Sequence, residues 1–158
     1  MIISKWRVAA AIHRFPLIIR IVHSLWRLTR PHFSAGVIGV LFNSLGEVLV
    51  VEHVYHMPPR WGLPGGYMDR GEDPKVTIAR EMREELDLAV VVGPVVALER
   101  SDGNHLDIAF LVRSDNSVGH LCDELLDYRW VSPDQLPEIR RFHRKAISEA
   151  LALVDMKV

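Results

Sequence analysis

Cysteine is nearly absent from this chain: Cys122 is the single one among 158 residues. An internal disulfide and a zinc site made of cysteine ligands are therefore excluded, and the composition fits a reducing cytoplasm, which is the location we expect. Long apolar runs are also missing, because Arg7, Arg14 and Arg20 interrupt those of residues 1–32. No run reaches the roughly 20 residues that cross a bilayer, and no small-residue cleavage site marks a secretory signal.

Acidic residues are missing from one end of the chain. Residues 1–46 hold six of the 19 Lys and Arg side chains and none of the 20 Asp and Glu side chains, although the whole chain has a formal net charge of −1. These basic residues are few and widely spaced, which argues against a nucleic-acid interface. Internal repeats and low-complexity tracts are absent as well, so a length of 158 residues predicts one main domain with a sizeable core.

Residues 1–32 are predicted to form an amphipathic, basic helical extension of that domain. Pro16 begins a predicted helix that ends near Thr29, before Pro31. Its two faces are an apolar one with Ile18, Ile21, Val22 and Leu25, and a polar one with Arg20, Ser24 and Arg27. Three interpretations stay open: a helix packed on its own domain or in a homodimer interface, peripheral contact with a membrane surface, and an Arg-rich organelle presequence.

The remaining residues show strand signals mixed with two helix signals. The predicted segments are strands at 35–42, 47–53, 89–98, 105–112 and 129–131, an acidic loop at 123–127, and a closing helix with an apolar stripe from Ile139 to Leu151. A turn at 43–46 predicts that the first two strands form a hairpin, and Gly93-Pro94 predicts a kink in the third. Strands combined with two core helices indicate an α/β layered domain.

Residues 65–88 carry the most informative pattern. Gly65 and Gly66 predict a turn in which the backbone can approach other groups closely. A helix follows, which Asp73 is placed to cap and Pro74 to begin. The apolar stripe predicted for this helix consists of Val76, Ala79, Met82, Arg83 and Leu86, at steps of three and four.

Three carboxylates share a second face of this helix. Glu81, Glu84 and Glu85 stand at positions i, i+3 and i+4. Carboxylates this close repel one another, so either they extend into water, as on an ordinary charged helix, or a cation neutralises them. Magnesium takes oxygen ligands of this type and keeps water ligands that substrate phosphates can replace.

The full spacing decides between these alternatives. The pattern consists of Gly66, five residues, Glu72, seven residues, Arg80-Glu81, Met82, one residue, Glu84-Glu85, two residues and Leu88. It resembles the Nudix box, with Asp87 where the family has a glycine that ends the helix. The resemblance covers residues 35–152 and implies a Nudix-type α/β/α sandwich with a mixed β-sheet for the domain at 33–158.

Resemblance to the Nudix family implies a magnesium-dependent hydrolase, with manganese as the other candidate metal. Water attacks phosphorus and cleaves the diphosphate bond of a nucleoside diphosphate derivative or a nucleoside triphosphate. The matched positions imply that Glu84, Glu85 and the Gly65 carbonyl bind metal. Glu81 either binds metal too or activates water, and Arg80 orients it. The residues expected to be catalytic are therefore Glu81, Arg80 and Glu85.

Substrate contacts are predicted outside the box at Trp61, Glu124, Asp127 and His105. Glu124 and Asp127 are also candidates for the general base, and Trp61 is placed to stack on a nucleobase. The sequence leaves nucleoside di- and triphosphates, nucleotide sugars and 5′ ends of RNA open as substrates. The alternative is a non-catalytic nucleotide-binding regulatory module, against which the intact glutamates of the box argue.

Overall fold

A computed structural model describes residues 16–101 and 103–156. The chain divides into two compact units, residues 1–32 and residues 33–158. The first unit contains helix α1, Pro16–Leu28, close to the predicted bounds. After it, the guanidinium of Arg30 lies 4.0 Å from the centre of the Trp26 ring. Predictions for residues 1–15 lie outside the described residues, and within those residues no helix is long and apolar enough to cross a membrane.

The second unit combines strands with two α-helices and a 3₁₀ turn at Pro133–Gln135. Its described elements are β1 (Ser34–Leu41), β2 (Val48–His53), β3 (Trp61–Gly62), β4 (Gly65–Tyr67), α2 (Pro74–Leu86), β5 (Val91–Ser101), β6 (His105–Arg113), β7 (Leu125–Val131) and α3 (Arg141–Asp155). One sheet has the strand order β4-β1-β6-β5 and is mixed, because β1 and β6 run parallel. The other has the order β3-β2-β7 and is antiparallel. The predicted α/β fold with a mixed sheet is confirmed.

The predicted hairpin of the first two strands is wrong. β1 and β2 belong to different sheets, and one antiparallel bridge, Phe42 to Val48, connects their ends. The reason is that β4 and β6 already occupy both edges of β1, so its backbone groups have partners without β2. The turn at 43–46 therefore carries the chain from one sheet to the other.

Two apolar cores lie on opposite faces of the mixed sheet. Neighbouring residues of a strand point to opposite faces, and along β1 Val37 belongs to the core beneath α2, whereas Val40 belongs to the core beneath α3. The buried residues of α2 are Thr77, Ile78, Met82, Glu85 and Leu86. The predicted stripe of this helix is wrong in part, since Val76 is 57% exposed and Arg83 is exposed. Tertiary contact with the sheet, rather than local apolar spacing, selects the buried face.

Three further predictions concern individual strands and helices. β5 has irregular pairing between Val92 and Ala97, which confirms the predicted kink at Gly93-Pro94. The acidic segment 123–127 is partly strand rather than loop, because β7 begins at Leu125 and pairs with β2. Ile139 precedes α3 and forms a parallel bridge with Trp61, so the closing helix begins later than predicted.

Candidate functional site

Helix α2 begins as the sequence predicts. The Oδ1 atom of Asp73 accepts a hydrogen bond from the Lys75 N–H at 2.8 Å, and Pro74 occupies the first turn. Such a cap satisfies one of the free N–H groups at a helix start and stabilises the helix by roughly 1 kcal/mol. The position of the glutamates about two to three turns later is therefore defined by local sequence.

Two glycines bring β4 close to the glutamates of α2. Gly65 has a φ angle of +146°, which favours glycine, and a Cβ atom there would overlap the Val37 carbonyl oxygen. A Cβ atom on Gly66 would lie 2.6 Å from the Glu81 carboxylate. The Gly65 N–H donates to Oε2 of Glu85 at 2.9 Å. Gly65 is needed because of its φ angle and its close approach to β1, and Gly66 is needed because the backbone passes directly against the Glu81 carboxylate.

Arg80 binds three glutamates: Glu72 in the loop before α2, and Glu81 and Glu84 on the helix. Its Nη1 donates to Glu81 Oε1 at 2.8 Å and to Glu84 Oε2 at 3.0 Å, so the same nitrogen contacts Glu81, which Arg80 is expected to orient, and a second carboxylate. Its Nε donates to Glu72 Oε1 at 3.0 Å, and this hydrogen bond is the main reason that the pKa of Glu72 falls to about 2. Glu72 also accepts from the Thr77 hydroxyl at 2.8 Å, which fixes the loop to the helix directly.

Glu85 is the most buried of the three helix carboxylates. Its pKa is raised to about 8: burial is the main cause, the charges on Glu81 and Glu124 act in the same direction, and the Gly65 N–H opposes the shift. Burial also raises the pKa of Glu81, although Arg80 opposes it. These carboxylates are held where a negative charge is costly, so a cation bound beside them would favour their ionised forms.

These side chains line a groove of about 410 Å³ between β4 and α2. Its lining residues are Gly65, Gly66, Tyr67, Asp69, Arg80, Glu81, Glu84, Glu85, Cys122 and Glu124. Glu124, which is distant in sequence from the helix glutamates, also lines the groove. Sequence reasoning missed Tyr67, Asp69 and Cys122, and no spacing signal marks any of them.

The groove offers the type of ligand atom that a hard divalent cation prefers. Glu81, Glu84 and Glu85 supply carboxylate oxygens, which Mg²⁺ and Mn²⁺ prefer. Within residues 16–101 and 103–156, however, no three acidic, histidine or cysteine side chains form a ready metal-binding group, and Nη1 of Arg80 lies bound to Glu81 and Glu84. The ligand roles of these glutamates and of the Gly65 carbonyl therefore stay predictions.

Asp87 ends α2 in the left-handed conformation, with φ and ψ of 49° and 41°. This conformation disfavours residues other than glycine, although aspartate tolerates it better than most. The loop that faces it carries Gly119, whose N–H donates to the Leu86 carbonyl at 2.9 Å, and Cys122, whose N–H donates to the Glu85 carbonyl at 3.1 Å. The end of the helix is thus closed by backbone hydrogen bonds even though the expected glycine is absent.

The predicted substrate-contact residues do not lie together. His105 lines a second cavity, whereas Glu124 lines the groove. Trp61 and Asp127 line neither space: the Arg129 guanidinium lies 4.5 Å from the centre of the Trp61 ring, and its Nε lies 3.3 Å from Asp127 Oδ2. The roles of all four stay predictions, and the structure separates them into different surroundings.

Two buried histidines, His53 and His143, lie beside the segment that joins β3 to β4, and His143 binds this segment. Nδ1 of His143 accepts a hydrogen bond from the Leu63 N–H at 2.9 Å. Burial, with repulsion from Arg140 as the next cause, lowers the pKa of His143 to about 3. Burial and His56 lower the pKa of His53 to about 4, and Nε2 of His53 has no hydrogen-bond partner among the described residues. Both rings are therefore neutral at pH 7.

Replacing His143 with asparagine should weaken the acid sensitivity of the fold. Because the pKa is about 3 in the folded protein and about 6.5 in the unfolded chain, the unfolded chain binds more protons between these values. The stability present above pH 6.5 is then lost as pH falls, by about 1.4 kcal/mol per pH unit for one histidine. Asparagine keeps an acceptor at the δ position and does not titrate, so urea unfolding at pH 7, 6 and 5 should show a smaller decline.

The exposed His120 gives the matched control, since His120→Asn should leave the decline unchanged. An identical decline in His143→Asn and the parent protein would show that His143 does not cause the acid sensitivity.

The sequence model of the NUDIX domain matches residues 32–150 of the chain. A MutT-like protein of Streptomyces ambofaciens is 26% identical over 126 residues, which cover 79% of this chain and 77% of that protein. An RNA pyrophosphohydrolase of Rhodospirillum rubrum is 39% identical over 54 residues, 34% of this chain and 32% of that protein.

Solved structures give the same fold. A MutT NUDIX hydrolase of Burkholderia pseudomallei superposes with a TM-score of 0.67 at 20% identity, covering 75% of this chain and 98% of that chain. An ADP-ribose pyrophosphatase of Streptococcus suis superposes with a TM-score of 0.63 at 19% identity, covering 80% and 92% of the two chains. Because the domain match spans most of the sequence, the chain belongs to the Nudix hydrolase family.

Proposed function

We propose that this chain hydrolyses the diphosphate bond of a nucleoside diphosphate derivative or a nucleoside triphosphate, with magnesium as its metal. The observation that carries the proposal is the composition of the groove. Glu81, Glu84 and Glu85 of α2 line it together with the glycine backbone of β4 and with Glu124. A diphosphate is strongly anionic and does not bind carboxylates directly, so this surface needs a cation between the two. When bound, the metal supplies charge neutralisation at phosphorus and an acidified water.

The protein's own part in the reaction is to hold carboxylates in fixed positions. Glu85 is held by the Gly65 N–H, and Glu81 and Glu84 are held by Nη1 of Arg80. In the proposal these three carboxylates, with the Gly65 carbonyl, hold the metal. Arg80 is a positioning residue, since its contacts are with other side chains and with the Tyr67 carbonyl.

Two groups are candidates for accepting the proton of the attacking water. Glu81 lies within the helix cluster, and Glu124 lines the groove from the other side. Asp127 is less suited to this role, because it lies 3.3 Å from Arg129 and outside the groove. We assign the base to Glu81 or Glu124, in keeping with general-base catalysis by a carboxylate within reach of water.

A substrate screen with and without chelator tests the proposal. The panel contains nucleoside triphosphates and their oxidised forms, nucleotide sugars, dinucleotides, CDP-alcohols and 5′-triphosphate RNA. We expect hydrolysis of at least one compound with Mg²⁺, abolished by the chelator, with products that identify the cleaved bond. No hydrolysis of any compound, with Mn²⁺ also tried, would contradict the proposal and support the non-catalytic binding module.

Residues 1–32 are assigned no part in this reaction. The three predicted interpretations stay open for helix α1: packing on its own domain or in a homodimer interface, peripheral contact with a membrane, and an organelle presequence. In the second case its arginines would face anionic headgroups. None of these roles is needed for the groove, since every residue that lines it belongs to the second unit.

A further inference from the structure

Helix α1 is the element that the proposed reaction does not use. Its polar side chains stand on one face, since Arg20, Ser24 and Arg27 recur at steps of four and three. The rest of its circumference is apolar. The apolar side chains that it exposes, each between 40% and 72%, are Leu17, Ile19, Ile21, Val22, Leu25, Trp26 and Leu28. A continuous exposed apolar surface of this kind marks an interaction site.

The polar face of α1 carries positive charge and no negative charge. Arg20 and Arg27 lie on the helix and Arg30 follows it, whereas no Asp or Glu occurs before Glu47. Among the described residues, none of these three arginines takes part in an ion pair. Each basic side chain near an anionic lipid surface favours binding to it. The charge of this segment is therefore complementary to such a surface.

Trp26 stands at the border between the two faces of α1. Its ring centre lies 5.7 Å from that of His23 in a stacked arrangement, and the Arg30 guanidinium lies 4.0 Å from the Trp26 ring centre. The indole thus has apolar neighbours on one side and a cationic group on the other. Tryptophan is enriched where lipid headgroups meet hydrocarbon, because one part of its ring is apolar and another donates a hydrogen bond. The position of Trp26 fits a helix that lies at that boundary.

The length of α1 decides how it can meet a membrane. Its 13 residues, at 1.5 Å each, span about 20 Å, which is less than the roughly 30 Å of the hydrocarbon core of a bilayer. The helix ends at Leu28, and the N–H and hydroxyl of Thr29 both donate to the Trp26 carbonyl. A helix this short, with one charged face, lies in the plane of the headgroups.

A lipid surface suits both faces of α1, and a second copy of the chain suits one. A second copy would cover the apolar side chains, but residues 16–32 contain no carboxylate that could pair with the arginines. An anionic bilayer receives the apolar side chains in its outer hydrocarbon and offers its phosphates to Arg20, Arg27 and Arg30. The charge of the segment therefore favours lipid as the partner.

We propose that α1 binds peripherally to membranes that contain anionic phospholipids. The apolar face enters the boundary between headgroups and acyl chains, and the arginines contact lipid phosphates. Binding of this kind concentrates the hydrolase domain at a membrane surface. The inference goes beyond the proposed function and does not depend on it, because every residue that lines the groove lies between Gly65 and Glu124.

Sedimentation of the full chain with lipid vesicles tests the inference. The vesicles consist of phosphatidylcholine alone or of an equimolar mixture with phosphatidylglycerol. We expect at least about tenfold tighter binding to the mixed vesicles at low salt, and a decline as added salt screens the surface charge. Arg20→Gln combined with Arg27→Gln should weaken this binding about thirtyfold, the scale of two basic residues near an anionic surface. Arg113→Gln combined with Arg144→Gln removes the same charge from exposed positions outside α1 and should change binding little.

A second pair of variants tests the apolar face. Ile21→Glu combined with Leu25→Glu places charge within that face and should abolish binding to both kinds of vesicle. Leu45→Glu combined with Met156→Glu adds the same charge at exposed apolar positions outside α1, so it should preserve most of the binding.

Equal, negligible binding of the parent protein to both kinds of vesicle would overturn the inference, whether or not the variants fold. Equally tight binding to neutral vesicles would overturn it as well, because lipid charge would then play no part. Light scattering without vesicles examines the second copy as partner. A dimer that Ile21→Glu with Leu25→Glu dissociates, in a protein that binds no vesicles, would assign the apolar face to that dimer. Hydrolysis without vesicle binding contradicts this inference alone, whereas vesicle binding without hydrolysis of any compound contradicts the proposed function alone.

Discussion

Replacing Glu85 with glutamine should lower kcat at least a thousandfold while the protein stays folded. Glutamine keeps the size of the side chain and an acceptor for the Gly65 N–H, but it removes a charge from the carboxylates that we propose to hold the metal. A thousandfold loss corresponds to about 4 kcal/mol of transition-state stabilisation, which is the scale of metal-assisted phosphoryl chemistry. Steady-state hydrolysis of the substrate identified in the screen, at saturating Mg²⁺, gives the measurement. Glu149→Gln, an exposed change on α3, is the control.

The stability of the metal-free protein separates this loss from unfolding. The pKa of Glu85 is about 8 in the folded protein and close to 4.3 in an unfolded chain. The folded protein therefore binds more protons in this window, and its stability falls as pH rises, by about 1.4 kcal/mol per pH unit. Glu85→Gln removes this decline, so the metal-free variant should melt at a higher temperature than the parent at pH 8. A folded variant with full activity would contradict the metal role of Glu85.

Replacing Gly119 with alanine should destabilise the protein by about 3 kcal/mol, at the upper end of overpacking effects. The added Cβ atom would lie 2.7 Å from Oδ2 and 2.9 Å from Cβ of Asp87. Neither side can give way easily, because Gly119 is bonded to the Leu86 carbonyl and Asp87 is held in a left-handed backbone conformation. Urea unfolding at pH 7 measures the loss.

Asp87→Gly provides the matching partner for a double-mutant cycle. Alone it should stabilise the protein by up to about 1 kcal/mol, since glycine adopts the left-handed conformation without a Cβ penalty. In the Asp87→Gly background the Gly119→Ala change should cost less than about 1 kcal/mol, because its contact atoms are gone. A coupling energy near zero would contradict direct contact between the two positions as the cause.

The sequence predicts local features of the site well and distant ones poorly. The cap at Asp73, the face shared by Glu81, Glu84 and Glu85, and the helix end near Leu86 depend on neighbouring residues, so fixed spacing reveals them. Arg80 illustrates the limit of this reasoning: its contacts with both Glu81 and Glu84 follow from spacing, but the hydrogen bond to the Tyr67 carbonyl does not.

Features that depend on strand pairing could not be read from the chain. β1 receives β4 and β6 at its two edges, and this choice removes the hairpin that local signals favour. The same pairing places Tyr67, Gly36 and Asp107 in one row. No single-sequence pattern connects these three positions, so the cavity that Tyr67 and Asp107 line together with Arg140 emerges only in the folded structure.

The single cysteine of the sequence lines the groove with Glu85 and Glu124, and its side chain is half-buried. A thiol-directed fluorophore will therefore attach at one defined position, without any engineered substitution. Because Cys122 also donates its N–H to the Glu85 carbonyl, a dye there sits on the loop that closes the end of α2. The protein thus carries a natural labelling site for following occupancy of the groove by fluorescence. The rate at which the thiol is alkylated measures the same occupancy without a fluorophore.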